Sequence, residues 1–165
     1  MKLTSTAIEN GYWADRFGKH GTQLSETGKN TRSVPFTIHD APEGTKCFAA
    51  VLDDMDAIPV CGFCWIHWTL CGLTRTEVAE DESRTADDYI QGTTSFCSAA
   101  SDETREQASC YGGMAPPDQD HCYDLTVYAL DCVPDLKPGF YLNELKHAMR
   151  GHVLAHARIS AMYRA

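Results

Sequence analysis

The sequence predicts a mainly β protein: an antiparallel β-sandwich with one or two short helices near the C-terminus. Two observations support this class. The apolar runs are short and are separated by frequent turn residues, as in sandwiches rather than in alternating β/α units. One run also alternates apolar and polar side chains, which is the period of a half-buried strand. The chain of 165 residues has the length of one domain, so a single domain over 1–165 is expected.

Three strands are predicted in the middle of the chain. KCFAAVL at 46–52 follows a turn with Pro and Gly, and FCWIHWTL at 63–70 is rich in aromatic and β-favouring residues. CYDLTVYAL at 122–130 shows the alternation. Within the second run, alternation places Trp65 and His67 on one face and Trp68 on the other.

One helix is predicted near the C-terminus. YLNELKHAM at 141–149 follows the breaker pair Pro138-Gly139, and its Leu142, Leu145 and Met149 share one helical face. The tail at 152–163 (HVLAHARISAMY) fits both a helix and a strand. Its alternation of small and β-branched residues favours a strand.

The segment 74–109 has a different character, because it holds nine acidic residues against three basic ones. A polar segment of this length is either a functional loop or a mobile surface excursion. Charge blocks mostly solvate a surface, which favours an acidic face of that kind.

The composition excludes several classes of protein. Hydrophobic residues make up 43% and the formal net charge is −9, which is typical of a globular chain and unsuited to nonspecific binding of nucleic acid. The charge allows peripheral contact with anionic lipid at most. No apolar run is long enough to span a bilayer, and the first ten residues lack the apolar segment of a signal peptide. A cytoplasmic location is therefore expected.

Eight cysteines raise the question of metal or redox chemistry, most of all the CxxC pair Cys61 and Cys64. Zinc needs four tetrahedral ligands, and no second close pair follows at the usual spacing. A thioredoxin-like pair needs a helix N-terminus, whereas this pair precedes an aromatic strand. His152 and His156 have the spacing of a zinc protease helix, but Val153 stands where the glutamate is needed.

Two further groups of residues attract attention. Asp53, Asp54 and Asp56 come directly after a predicted strand, where carboxylates commonly accept hydrogen bonds from turn N–H groups. The loop at 110–121 combines a Gly-Gly pair, a Pro-Pro pair and a histidine that enters the next strand. Glycine allows close approach to a ligand and proline fixes a wall.

The order of these motifs resembles the phosphatidylethanolamine-binding protein family, in its bacterial and archaeal branch of Raf kinase inhibitor-like proteins. The similarity runs from about residue 29 to residue 164. The segments that carry it are 42–49 (PEGTKCFA), 54–58 (DMDAI), His67-Trp68, 111–117 (YGGMAPP), 121–123 (HCY), 127–130 (VYAL), 151–155 (GHVLA) and the terminal Tyr163-Arg164. Prolines usual in the family are replaced by Val34, Met55, Ile58 and Met114, and Ile38 stands in place of a tryptophan.

The resemblance implies a β-sandwich with a small pocket for phosphate-like groups and no cofactor. It implies ligand-binding roles for Asp54, His67, Tyr111, Gly112, Gly113, Pro116 and His121, with Asp56 supporting the turn. The two histidines and the N–H groups of the Gly-Gly loop would bind an anion, and Asp54 would orient a histidine or hold a ligand ammonium group. The cysteines of 61–68 (CGFCWIHW) would then be packing residues of a core strand.

The expected function is binding rather than catalysis: a pocket for phosphate or a phosphorylethanolamine-like head group, coupled to a protein partner such as a kinase or a protease. A homodimer is expected on the resemblance alone. Two alternatives stay open. One is a hydrolase that uses an Asp–His pair on phosphoesters or amides, although the chain has no G-x-S-x-G motif. The other is a zinc or redox protein built on Cys61 and Cys64.

Overall fold

The computed structural model describes all residues from 1 to 165, and it contains ten strands and two short helices. The strands are β1 (Lys2–Thr4), β2 (Ile8–Glu9), β3 (Tyr12–Trp13), β4 (Phe36–His39), β5 (Cys47–Asp54), β6 (Trp65–Leu73), β7 (Glu77–Val78), β8 (Ile90–Gln91), β9 (His121–Leu130) and β10 (Val153–Tyr163). The helices are α1 (Ile58–Cys61) and α2 (Leu142–Ala148). Neither helix has the length and apolar character that a membrane span requires.

The strands form two sheets. Three short strands pair in the order β1-β4-β7, and seven strands pair in the order β2-β3-β10-β9-β5-β6-β8. Nearly all pairs are antiparallel; β3 and β10 run parallel at the single pair of Tyr12 and Met162. The prediction of a mainly β antiparallel protein is confirmed, and the four longest strands form the middle of the larger sheet.

The alternation in β9 explains how its core forms. Tyr123, Leu125, Val127 and Ala129 are fully buried, whereas the residues between them are half-buried. The buried side chains join a core of 23 residues that includes Trp13, Phe36 and Trp68. The strands predicted at 46–52, 122–130 and in the C-terminal tail are thereby confirmed.

The second predicted strand begins two residues later than expected and contains a bulge. Leu52 of β5 pairs with Trp68, and the next residue, Asp53, pairs with Ile66, so His67 has no partner across this ladder. An extra residue of this kind breaks the alternation of the strand. Trp68 therefore joins the same core as Tyr123, against which His67 also packs. The expectation that His67 and Trp68 lie on opposite faces is wrong for this reason.

The predicted C-terminal helix is confirmed as α2. Its first turn is capped by Glu144, whose carboxylate accepts the backbone N–H of Tyr141 at 2.6 Å. Leu145 and Met149 are buried in a second cluster of eight residues beneath the larger sheet. The other helix, α1, lies in mid-chain: Pro59 occupies its first turn, and Gly62 ends it with a φ of +90° that favours glycine.

The acidic segment 74–109 contains β7, β8 and a short 3-10 turn at Glu82–Arg84, and the rest of it is irregular. Part of its charge is paired, since Arg75 binds Glu82 at 2.6 Å and Asp88 at 2.6 Å. One carboxylate of the segment, that of Glu103, is buried. Glu103 pairs with Lys29 at 2.5 Å, and both side chains are only 3% exposed. This buried pair anchors the irregular part of the segment.

Candidate functional site

A cavity of about 250 Å³ opens where β5 ends, β6 begins and β9 begins. Three of the predicted site residues, Asp54, His67 and His121, line it. The other lining residues are Ala57, Val60 and Cys61 from the α1 region, Trp65 and Tyr123 from the strands, and Phe96, Ala115 and Pro117 from loops. Most of the wall is thus apolar, with a few polar groups that converge, as in many small-molecule sites.

His121 lies between two carboxylates at the base of the cavity. Its Nδ1 is 2.8 Å from Oδ2 of Asp54, and its Nε2 is 3.0 Å from Oδ1 of Asp118. Burial alone lowers the pKa of His121, but the hydrogen bonds and charges of the two aspartates outweigh it, so the pKa of His121 is raised. The sequence did not single out Asp118, which lies three residues before His121 in an exposed loop.

The pKa of His67 is shifted in the opposite direction from that of His121. The side chain is buried, and its Nδ1 lies 2.8 Å from the carbonyl oxygen of Gly112. Burial lowers the pKa of His67 to about 4, so the imidazole is neutral near pH 7. Because a carbonyl oxygen only accepts, the ring proton is on Nδ1 and the lone pair is on Nε2.

The aspartates after β5 tie the turn to the site. Oδ1 of Asp54 accepts the backbone N–H of Ala57 at 3.1 Å, while Oδ2 contacts His121. Oδ2 of Asp56 accepts the backbone N–H of Cys122 at 2.8 Å. Asp54 thus contacts both the turn and His121, and Asp56 links the turn to the start of β9. Asp53 lies on the other face of β5, opposite Asp124 of β9.

Five of the eight predicted site residues lie outside the cavity wall: Asp56, Tyr111, Gly112, Gly113 and Pro116. Tyr111 is fully buried, packs edge-on against Trp68 with ring centroids 5.6 Å apart, and donates its hydroxyl to the carbonyl of Phe17 at 2.7 Å. Pro116 is buried, and its carbonyl accepts Nζ of Lys19. The neighbouring Pro117 supplies the wall instead.

The Gly112-Gly113 pair serves the packing of the protein. The N–H of Gly112 is donated to the carbonyl of His67 at 2.8 Å, and that of Gly113 to the carbonyl of Asn30 at 2.8 Å. A Cβ on Gly112 would lie 2.3 Å from the ring of Phe96, and one on Gly113 would lie 2.6 Å from Cβ of Asn30. The glycines therefore let Phe96 and Asn30 approach, and both N–H groups already have protein acceptors.

Aromatic side chains that the prediction did not include surround His67. The ring centroids of Tyr123 and Phe96 are 5.1 Å and 5.9 Å from that of His67, and Phe96 also meets Trp65 edge-on at 5.3 Å. The alternation from His121 to Tyr123 could have identified Tyr123, since residues two apart on a strand share a face. Phe96 comes from a loop, and nothing in the local pattern marks it.

Two polar atoms of these aromatic residues are buried without a hydrogen-bond partner: Nε1 of Trp65 and the hydroxyl of Tyr123. An unpaired buried polar group costs about 1–3 kcal/mol. Burial and the neighbouring charge of Asp54 raise the pKa of the Tyr123 hydroxyl, so it is a neutral donor. The wall of the cavity therefore includes two residues with donors in need of an acceptor.

The CxxC pair lies at the C-terminus of a helix, whereas a thioredoxin-like pair lies at a helix N-terminus. Cys61 is the last residue of α1, so it lies at a helix C-terminus, and Sγ contacts the carbonyls of Ala57 and Phe63 at 3.3 Å each. Burial raises the pKa of Cys64 to about 11. The raised pKa of Cys64 disfavours a thiolate, which redox chemistry requires, and the pair lacks the helix N-terminus of a thioredoxin-like site. The stretch 61–64 is also a helix end and a turn, and the strand begins only at Trp65.

The buried pair of Lys29 and Glu103 lies close to the wall of the cavity. Nζ of Lys29 is 5.0 Å from the centroid of the Phe96 ring, against which His67 packs edge-on. Lys29 also donates to the carbonyl of Gln107 at 3.0 Å. The acidic segment thus supplies Phe96 to the site, and the buried ion pair helps to fix its position.

Comparisons with known proteins agree with this architecture. The family model described as phosphatidylethanolamine-binding protein matches residues 4–164. The chain is 42% identical over 160 residues to the protein YxkA of Bacillus subtilis (strain 168), covering 94% of this chain and 95% of that one. It is 31% identical over 152 residues to a protein of Methanothermobacter thermautotrophicus, covering 89% and 91%.

Two solved structures have the same fold. The structure of CT736 from Chlamydia trachomatis, described as a homologue of phosphatidylethanolamine-binding protein, has a TM-score of 0.79 at 27% identity and covers 99% of this chain and 97% of that one. YbcL of E. coli also has a TM-score of 0.79, at 23% identity, with 99% and 98% covered. The chain therefore belongs to the phosphatidylethanolamine-binding protein family, in its bacterial and archaeal branch.

Proposed function

We propose that this protein is a non-enzymatic binding protein whose cavity takes phosphate or a small phosphoryl head group, such as that of phosphorylethanolamine. The observation that carries the proposal is the convergence of Asp54, His67 and His121 in an otherwise largely apolar cavity of about 250 Å³. The buried donors of the lining residues Trp65 and Tyr123 add to it, because phosphoryl oxygens are strong acceptors. The family name points to the same chemistry.

The histidines have different parts in this proposal. The carboxylates of Asp54 and Asp118 raise the pKa of His121, which favours the form of this ring that donates from both nitrogens at the base of the cavity. His67 presents Nε2, which accepts a hydrogen bond from a protonated phosphate oxygen or, after taking up a proton, donates to an oxyanion. Asp118 is 54% exposed in its side chain, so it is free to rotate away and release Nε2 of His121 to a ligand.

The remaining predicted residues have supporting roles. Asp54 orients His121 and offers a site for a ligand ammonium group near the phosphoryl group. Asp56 fixes the turn against β9. Gly112 holds His67, while Gly113, Tyr111 and Pro116 build the loop behind it, through the contacts to Asn30, Phe17 and Lys19 described above.

Hydrolysis is the alternative to binding. In the structure both ring nitrogens of His121 contact carboxylates, so His121 can act as a general base only after Asp118 moves away. Turnover of a generic phosphoester such as p-nitrophenyl phosphate, lost in His121→Gln, would support the hydrolase alternative.

A protein partner is the second half of the proposal. Four large apolar side chains near the cavity mouth are exposed: Met55 by 54%, Ile58 by 41%, Val60 by 46% and Phe63 by 38%. A cluster of this kind is typical of a surface that contacts another molecule. We propose that it docks a partner such as a kinase or a protease in the cytoplasm, and that the protein forms homodimers; light scattering tests the latter.

The test of the pocket is a titration with phosphate and with phosphorylethanolamine, followed by the imidazole signals of the seven histidines in NMR spectra. Saturable shifts of His67 and His121, weakened in Tyr123→Phe and lost in His67→Ala, are expected. His39→Ala, which removes an exposed histidine, serves as the control. Shifts spread over all histidines, or none at millimolar ligand, would exclude the proposed pocket.

A further inference from the structure

A cluster of metal-ligating side chains lies at the end of β9 opposite to the cavity. Asp131 and Cys132 follow β9 directly, and His152 directly precedes β10. One potential ligand atom from each of the three residues lies within 4.8 Å of those of the other two. Since β9 has ten residues, about 30 Å of strand separates this cluster from His121.

The backbone holds the three residues in place. The N–H of Asp131 is donated to the carbonyl of His152 at 3.1 Å, and the N–H of His152 to the carbonyl of Met149 at 3.0 Å. The carbonyl of Cys132 accepts the buried Sγ of Cys47 at 3.1 Å. The strand pairing of β9 and β10 thus brings together residues that are far apart in the chain. Their side chains extend from a fixed hairpin end.

The chemistry of the set suits a borderline divalent transition metal. Zinc takes Cys sulfur at about 2.3 Å, and His nitrogen and Asp oxygen at about 2.0–2.2 Å. Tetrahedral geometry with these bond lengths places neighbouring ligand atoms about 3.3–3.7 Å apart. The present separations of up to 4.8 Å need a movement of about an ångström, which rotation about side-chain torsions supplies.

The side chains of two of the three residues are accessible. Those of Asp131 and His152 are 46% and 47% exposed. Nδ1 of His152 and Oδ1 of Asp131 are 2.8 Å apart, so little movement brings both onto one ion. A Cys132 thiolate and the Asp131 carboxylate together neutralise a divalent cation, and the fourth position stays open to water.

We propose that Asp131, Cys132 and His152 form a binding site for Zn²⁺ or a similar borderline ion, independent of the phosphoryl cavity. The ion displaces the thiol proton of Cys132 and links the end of β9 to the start of β10. The CxxC pair is not involved, because Cys61 and Cys64 lie at the other end of the molecule's central strands, beside the cavity.

Titration of the EDTA-treated protein with Co²⁺ tests the site, because a cobalt–thiolate bond gives a charge-transfer band and tetrahedral Co²⁺ gives strong visible absorption. One equivalent should bind, and Zn²⁺ should displace it. Cys132→Ser should remove the charge-transfer band, and His152→Gln should weaken binding at least about tenfold, since even outer-shell changes have such effects.

Matched controls keep the outcome clear. Cys61→Ser, Cys64→Ser and His39→Gln should leave the titration unchanged, and Zn²⁺ should raise the melting temperature of the wild type but not of Cys132→Ser. The proposal is overturned if no stoichiometric band forms, or if the band survives Cys132→Ser and disappears in Cys61→Ser. Circular dichroism verifies that each variant is folded, which the exposure of Asp131 and His152 leads us to expect.

Discussion

His67 and Gly112 bind each other twice: the imidazole Nδ1 contacts the Gly112 carbonyl at 2.8 Å, and the Gly112 N–H is donated to the His67 carbonyl at the same distance. The first bond fixes the tautomer of His67, and the second fixes its backbone beside the loop. Together with the β6 bulge, this pair directs Nε2 of a neutral imidazole away from Gly112. The protonation of His67 is therefore central to how the cavity responds to anions.

Sulfate should bind more tightly as the pH falls from about 7 to about 5. The pKa of His67 is about 4 in the ligand-free protein, and a bound anion raises it. At a pH between the ligand-free and the ligand-bound pKa, binding is therefore accompanied by the uptake of one proton at His67. Affinity should then rise by up to about tenfold per pH unit. Calorimetry with sulfate measures this, because the charge of sulfate is constant in this range.

The control for that prediction is His67→Gln, which keeps a donor for the Gly112 carbonyl but cannot titrate. Its sulfate affinity should depend much less on pH than that of the wild type. Equal pH slopes in the variant and the wild type would show that another group takes up the proton.

Asp118→Asn should lower the pKa of His121, because it removes one of the two carboxylates that raise it. The folded-state pKa of His121 lies above its usual value of 6.5, so the stabilising contribution is complete below about pH 6.5 and is lost as the pH rises through the folded-state pKa. The loss of stability in Asp118→Asn should therefore be larger at about pH 6 than at about pH 9. NMR titration of His121 and urea unfolding at both pH values measure the two effects.

The matched control is Asp87→Asn, an exposed carboxylate in the acidic segment. It should change neither the pKa of His121 nor the pH dependence of unfolding. A destabilisation of Asp118→Asn that does not vary with pH would show that the carboxylate acts without the charge of His121.

Asp53→Asn should stabilise the protein at pH 7. Burial, reinforced by Asp124 across the strand pair, raises the pKa of Asp53 to about 6, above its usual 3.8. The folded state therefore binds more protons than the unfolded state between about pH 4 and pH 6, and wild-type stability falls as the pH rises through that window. The gain should be about 1–2 kcal/mol at pH 7 and absent at pH 4 by urea unfolding. A loss of stability at pH 7 would contradict this account.

Gly112→Ala should destabilise the protein by about 1–3 kcal/mol and reduce phosphate binding, because the new methyl group meets the Phe96 ring at 2.3 Å. A double-mutant cycle with Phe96→Ala isolates the cause. The destabilisation caused by Gly112→Ala should shrink when the ring is absent. Strict additivity of the two changes would show that Phe96 is not the obstacle.

The long elements of the fold were predictable, because their patterns are local. Strand β9 shows alternation over ten residues, and α2 has apolar positions at helical spacing after Pro138-Gly139. The strands β1, β2 and β3 have two or three residues each, too few for a period to emerge. The helix α1 escaped prediction because its four residues, Ile58–Cys61, are too few for a helical period to emerge.

The sequence indicated the polar residues that line the cavity, but not the aromatic and loop residues that form most of its wall. Asp54, His67 and His121 follow from ordered motifs, and all three line the cavity. Phe96 and Asp118 reach the site through loops, whose course depends on tertiary contacts. The N–H groups of Gly112 and Gly113 were expected to bind an anion, but they donate to protein carbonyls. The sequence could not show this, because a glycine pair is compatible both with a nearby ligand and with a closely packed side chain.

The buried pair of Lys29 and Glu103 has a consequence for how the protein responds to ionic strength. Exposed ion pairs, such as those of Arg75, are screened as salt is added, whereas a pair that is 3% exposed on both sides is shielded from mobile ions. The outer charges of the acidic segment can therefore loosen in concentrated salt while its inner anchor, and with it the Phe96 wall, stays in position.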